Sequence, residues 1–315
     1  MNVLGTRIAP ALAALAIAWT TLAVNAAGTL SHEVKPLVDG QWMQAHLDND
    51  AVVVLDVRNK LDGGSRATYE QGHIPGAVYS DYLNDGWRIK VDGVVGMLPP
   101  IDRIETLIGS LGIGNDNHVV IVPDGVSALD YGSATRVYWT FKVLGHEAVS
   151  ILDGGHTLWV KEGRPVERGI VKRPPVSFSA TYQPRHLADR NAVLAASTRA
   201  NALTLVDNRP KAQYMGRGKH AMATRAGAIP NAVNVPQERF FDAGSGRFSS
   251  TEKLAALWTQ AGGSDGETIT YCNTGHWASL GWFASSELLG RQSRLYDGSM
   301  VEWSSREELP MVRAQ

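Results

Sequence analysis

The chain has 315 residues, of which 44% are hydrophobic and 19% charged, with a formal net charge of -1. At roughly 100–200 residues per domain the length suits two domains, and the composition builds buried cores and excludes a disordered polymer. No block of like charge marks a nucleic-acid footprint, so any anion chemistry must be local.

The chain opens with Arg7, an apolar Ala-rich run over 8–24 and the small residues Ala26 and Ala27. That order reads as a secretory signal peptide over 1–27, cleaved near Ala26 or Ala27, rather than a spanning helix, for which the run is short. No later stretch is long and apolar enough to span a bilayer, so the mature protein is expected to be periplasmic or secreted and free of the membrane. Exported proteins usually carry paired cysteines or none. This one has a single cysteine, Cys272, which excludes an internal disulfide.

After the leader the chain passes through one pattern twice. An apolar strand over 52–58 ends in Asp56-Val57-Arg58, and a second over 203–209 ends in Asp207-Asn208-Arg209. About twenty residues on, each copy has a Gly-x-Ile-Pro-x-Ala-Val segment, at Gly72-His73-Ile74-Pro75-Gly76-Ala77-Val78 and at Gly227-Ala228-Ile229-Pro230-Asn231-Ala232-Val233. Amphipathic helices follow over 103–111 and 251–261, then strands over 118–122 and 268–271, each leading to a loop and another helix. The copies close on Leu152-Asp153-Gly154-Gly155 with Trp159, and on Tyr296-Asp297-Gly298-Ser299 with Trp303. Strands alternating with helices predict an α/β fold of parallel sheets flanked by helices, here duplicated. The proline-rich stretch before Pro184 marks the connection. The expected plan is a domain over 28–165, a linker over 166–184 and a second domain over 185–315.

Cys272 stands at the C-terminal end of the 268–271 strand, where open α/β sheets bind ligands. The run Cys272-Asn273-Thr274-Gly275-His276-Trp277 leads into a helix expected to start near Ala278. Such a loop turns backbone N–H groups inward, and the helix adds the positive end of its dipole, so a thiolate is stabilised there. Gly275 permits the tight backbone path.

The ordered set of Asp-x-Arg, Gly-His-Ile-Pro-Gly-Ala, Leu-Asp-Gly-Gly…Trp and a cysteine loop resembles the rhodanese family, specifically the tandem thiosulfate and 3-mercaptopyruvate sulfurtransferases. The resemblance covers essentially the whole mature chain. It implies two rhodanese-like domains, the first non-catalytic and the second catalytic, with the site near their interface and Cys272 as nucleophile. Attack of the thiolate on a sulfane sulfur would give a persulfide, from which a thiophilic acceptor such as cyanide or a thiol removes the outer sulfur. In the first copy the matching place, Val122-Pro123-Asp124-Gly125, has no cysteine. No cofactor or metal is implied, and the expected partners are a small-molecule donor and acceptor, with a protein thiol as a further possible acceptor.

The sequence departs from the thiosulfate-using pattern in its cations. Asn273 and Thr274 are neutral where relatives have basic side chains, and Gln213 stands where an anion-binding arginine is expected. Arg209 matches a more general position and is expected to form a structural ion pair. Two replacements for the missing charge suggest themselves. His276 would donate to an anionic donor or hold the thiolate, or else lie exposed at a helix start. The loop Arg217-Gly218-Lys219-His220, with Arg225, would act as a basic flap over Cys272. Trp277 is expected to pack at the domain interface.

Other cysteine chemistries fit less well. A phosphatase of this fold needs Cys-x5-Arg, but residue 278 is Ala. A dithiol oxidoreductase needs a second cysteine, and no metal-ligand spacing occurs among the nine histidines. A non-turnover role as a sulfur carrier or sensor, passing persulfide to a protein partner, remains the alternative to an enzyme.

Overall fold

The computed structural model describes residues 34–61, 63–198, 203–261 and 266–313; the leader expected over 1–27 lies outside the described residues. The first repeat runs β1 (Leu37–Val38), α1 (Gly40–Ala45), β2 (Val52–Asp56), α2 (Arg66–Gln71), β3 (Val78–Tyr79), β4 (Ile89–Val91), β5 (Val94–Met97), α3 (Ile101–Ser110), β6 (His118–Val122), α4 (Ala128–Val143), β7 (Val149–Leu152) and α5 (Gly155–Lys161). The second runs β8 (Leu187–Ala188), α6 (Arg190–Thr198), β9 (Thr204–Asp207), α7 (Lys211–Tyr214), β10 (Ala232–Asn234), β11 (Phe241–Asp242), β12 (Arg247–Phe248), α8 (Thr251–Gln260), β13 (Thr268–Tyr271), α9 (His276–Phe283), β14 (Ser293–Tyr296) and α10 (Ser299–Ser305). Their main sheets have matching orders, β1-β7-β6-β2-β3 and β8-β14-β13-β9-β10, with every neighbour parallel. The duplicated α/β architecture expected from the motifs is therefore present. The central strands β2, β6, β9 and β13 are buried on both faces, as parallel strands covered by helices on both sides are.

The repeated motifs are structural clasps. Arg58 pairs with Asp56 and donates from Nη2 to the Gly72 carbonyl at 2.9 Å. Arg209 pairs with Asp207 and donates to the Gly227 carbonyl at 2.9 Å. Each buried guanidinium thus ties the strand end to its Gly-x-Ile-Pro segment, whose isoleucine is fully buried. The structural ion pair expected of Arg209 is this one. Trp159 Nε1 donates to the Pro165 carbonyl at 2.7 Å and Trp303 Nε1 to that of Pro310 at 2.9 Å, so each tryptophan holds down the chain leaving its own helix.

The repeats share one core. Helix α4 is buried all round and packs on α9, with Tyr138 edge-on to Phe283 at 4.9 Å and Thr135 Oγ1 2.7 Å from Ser279 Oγ. Fully buried Trp139, Trp282 and Phe283 each contribute on the order of 2–3 kcal/mol by burial. Two polar clasps cross the same interface, one in each direction. Arg136 of α4 meets Asp297 Oδ1 at 2.6 Å, while Asp297 Oδ2 accepts the Leu98 N–H after β5. In return Asp153 accepts the Phe248 N–H of β12 at 2.8 Å and faces Arg247 at 3.5 Å. The hairpin of each repeat therefore reaches over the Asp-Gly loop of the other.

The segment over 163–184 is docked on the first repeat. Glu167 bridges His73, the Val176 N–H donates to Gly109, the Thr181 N–H donates to Leu144, and Phe178 is buried beside Phe141.

Candidate active site

Cys272 follows β13 directly and is 1% exposed. The loop reaches α9 in three further residues, and the helix starts at His276, two residues earlier than the spacing suggested. Gly275 makes the turn with φ +75°, and a Cβ there would crowd Arg136 Nη1 and the Asp297 carbonyl oxygen, so both backbone and space favour glycine. Ser299 Oγ accepts the N–H groups of both Cys272 and Gly275 at 3.1 Å, and Ser299 itself has φ +47°. The carbonyls of Cys272 and Asn273 accept from Met300 and Val301. The first-turn N–H groups of α9 have no acceptor within the helix, which leaves the loop electropositive.

The first repeat shows what such a cradle accepts. There the successive N–H groups of Asp124, Gly125 and Val126 all donate to the carboxylate of Asp130, with Asp124 N at 2.9 Å and Val126 N at 3.1 Å. Asp130 is buried and is the third residue of α4. The third residue of α9 is Ala278, which has no carboxylate to offer the N–H groups of the Cys272 loop.

A cavity of about 170 Å³ opens onto Cys272, space for only a small molecule. Asn273, Thr274, His276, Trp277 and His220 line it from the second repeat, and Leu61, Leu83, Arg88 and Leu129 from the first. Asn273 Nδ2 donates to Gln213 Oε1 at 2.9 Å, so the two neutral residues at the expected cation positions hold one another. Trp277 packs against the shared core, and its indole Nε1 is buried with no hydrogen-bond partner among the described residues.

His276 takes neither role suggested by the sequence. It is buried, its Nε2 donates to the Leu129 carbonyl at 2.8 Å, and its Nδ1 accepts from Tyr82 Oη at 2.8 Å. Burial, with Arg88 and Arg136 nearby, pushes its pKa down to about 3, so the ring is neutral and serves as an inter-repeat tie. Both nitrogens are occupied, which leaves neither to hold a thiolate or an anion. Arg217 and Lys219 are exposed and are not among the lining residues; Lys219 Nζ donates to Ala223 O. Arg225 is engaged by the carbonyls of Trp303, Ser304, Arg306 and Leu309. From this basic loop only His220 reaches the cavity.

Sequence reasoning missed Arg88 and Tyr82, which lie 184 and 190 residues before Cys272 in the chain. Arg88 Nη2 donates to the Thr274 carbonyl at 2.5 Å and Nη1 to Tyr82 Oη at 3.2 Å. Their only local signal was a charged residue inside an aromatic and apolar stretch, Trp87-Arg88-Ile89. Among the described residues no group of three His, Cys, Asp or Glu is placed to hold a metal, and no helix is long and apolar enough to cross a membrane.

Known proteins resemble this chain over most of its length. The sulfur carrier protein TtuD of Thermus thermophilus is 32% identical over 290 residues, covering 89% of this chain and 97% of its own. A putative thiosulfate sulfurtransferase of Mycobacterium bovis is 33% identical, covering 87% and 96%. The crystal structure of SseA from Escherichia coli, described as a 3-mercaptopyruvate sulfotransferase, superposes with a TM-score of 0.72 at 28% identity, covering 84% and 98%. The rhodanese-like domain profile matches residues 39–162 and again residues 190–306, so that each of the two repeats is one such domain and the chain belongs to the rhodanese-like domain family.

Proposed function

We propose that this chain is a sulfurtransferase that carries sulfane sulfur as a persulfide on Cys272. The observation that supports this reading furthest is the cradle: the sole cysteine occupies a loop whose counterpart in the first repeat surrounds an anion with three N–H groups. In the first half-reaction the Cys272 thiolate attacks the outer sulfur of the donor. A new S–S bond forms while the donor bond breaks, releasing sulfite from thiosulfate, or pyruvate enolate, then protonated by water, from 3-mercaptopyruvate. In the second, a nucleophile such as cyanide or a thiolate takes the outer sulfur and Cys272 leaves as thiolate. The loop donors are set before the chemistry starts, so little reorganisation is needed as charge moves onto or off the sulfur.

The mature protein, incubated with thiosulfate or 3-mercaptopyruvate, should gain the mass of one sulfur atom and lose it on addition of cyanide. Cys272→Ser should show no gain; a gain that persists in that variant would sink the reading. The apolar leader read in the sequence supports an exported protein, which N-terminal sequencing of protein from an expressing cell checks, a start near Ala27 or Gly28 being expected.

A second reading, sulfur carriage to a protein acceptor, is favoured by the 32% identical relative named as a sulfur carrier. Steady-state turnover with cyanide separates the two: a carrier loads once and releases only to its protein thiol.

A further inference from the structure

Arg88 is the single permanently charged side chain among the described residues that line the Cys272 cavity. It comes from the repeat that has no cysteine. Its guanidinium donates from Nη2 to Thr274 O, from Nη1 to Tyr82 Oη and from Nε to Gly96 O, the last at 3.2 Å. Five N–H donors are available on a guanidinium, so each Nη keeps one hydrogen. No carboxylate forms an ion pair with it among the described residues, and Asp297 behind the loop is taken by Arg136 at 2.6 Å. His220, the other basic residue on the rim, has its pKa lowered by burial and by Arg88 and Lys219, and so brings no charge at neutral pH. The remaining first-repeat wall, Leu61, Leu83 and Leu129, is apolar.

We infer that Arg88 is the anion anchor of the site: it grips a sulfonate or carboxylate oxygen of the donor and sets its sulfur against Cys272. The inference rests on the sulfur-transfer reading and names its substrate class, a small donor with one anionic head. The neutral residues Asn273, Thr274 and Gln213 then need no charge, because the cation arrives across the interface from the first repeat. The same contact with Thr274 O couples donor binding to the position of the nucleophile loop.

Alkylation of Cys272 tests this without sulfur chemistry. Rates with iodoacetate and with iodoacetamide are measured on the whole protein, since the reagents match in size and differ in charge. In Arg88→Gln the ratio of iodoacetate to iodoacetamide rates should fall roughly tenfold, the scale expected when a charge-assisted hydrogen bond is lost. Arg88→Lys should retain most of the ratio. An unchanged ratio in a folded Arg88→Gln protein would overturn the inference and leave Arg88 as a structural tie. Should Arg88→Gln fail to fold, the unmodified protein decides: its iodoacetate rate should fall with added salt while its iodoacetamide rate holds, and parallel salt dependences overturn the inference. If the ratio behaves as expected but no donor loads sulfur, the anion site stands and the sulfur-transfer reading alone fails.

Discussion

Ser299 Oγ lies 3.1 Å from the backbone N of Cys272 and 3.1 Å from that of Gly275, so one hydroxyl clasps both ends of the Cys272 loop. Its own hydrogen goes to the Tyr296 carbonyl at 2.8 Å. The first repeat has Gly155 at this position, with φ +58°, where a Cβ would lie 2.6 Å from the Pro123 carbonyl oxygen. The second repeat accepts a side chain in the same left-handed backbone because that hydroxyl makes three hydrogen bonds.

Ser299→Ala should therefore strand two buried donors. A loss of about 1–3 kcal/mol in unfolding free energy is expected, together with slower loading of sulfur on Cys272. Chemical denaturation and the rate of mass gain check both. Full stability and full loading rate in the variant would show that the clasp is idle.

The two inter-repeat clasps should differ sharply in strength. Asp297→Ala leaves Arg136, fully buried, without its partner, and a loss of about 3–5 kcal/mol is expected for breaking one half of a buried pair. Arg247→Met removes a partly exposed cation 3.5 Å from Asp153, and such pairs are worth about 0–1 kcal/mol. Denaturant midpoints of the two variants measure the contrast; equal losses would contradict it.

Gly132→Ala would place a methyl 2.5 Å from His276 Nε2, inside the α4–α9 contact. The backbone there is ordinary helix, so the effect comes from the clash alone and not from strain. Thermal unfolding should drop in midpoint, and the His276→Ala background, which removes the ring, should absorb most of that drop. Equal drops in both backgrounds would place the clash elsewhere.

Acid should destabilise the fold. The folded pKa of His276 is about 3, and those of His118, His156 and His186 are about 4, each lowered chiefly by burial. Between those values and the ordinary histidine pKa of about 6.5, the unfolded chain takes up protons that the folded chain refuses. Stability from these groups is thus complete above that pH and falls as pH drops through the window. Asp124 and Asp153, raised by burial, work against the trend but are only two groups. The unfolding midpoint should fall steadily from pH 7 to pH 5, with a shallower slope in His276→Gln; a flat profile would count against neutral buried imidazoles.

Much of this protein was legible in its sequence because the relevant signals are local. Apolar runs ending in Asp-x-Arg located β2 and β9 to within two residues at their ends, and the repetition of the set revealed the duplication. The same reasoning put Cys272 at the end of β13, since strand length and the following glycine are properties of a dozen consecutive residues. A structural ion pair for Arg209 was readable for the same reason, its partner Asp207 lying at the strand end with one residue between them.

The environment of the cysteine was not readable in that way. Arg88, Tyr82 and Leu129 come from the other repeat, between 143 and 190 residues earlier, and no periodicity spans such a separation. Sequence proximity suggested Arg217 and Lys219 as the source of charge and left His276 between solvent and thiolate. The packing of α4 on α9 decided otherwise, because burying His276 there requires a donor and an acceptor for its ring, which Tyr82 and Leu129 supply. The amino-acid sequence determined the repeat, the strands and the place of the cysteine; only tertiary packing decided which repeat brings a cation to its cavity, since charge acts through distance in space and not along the chain.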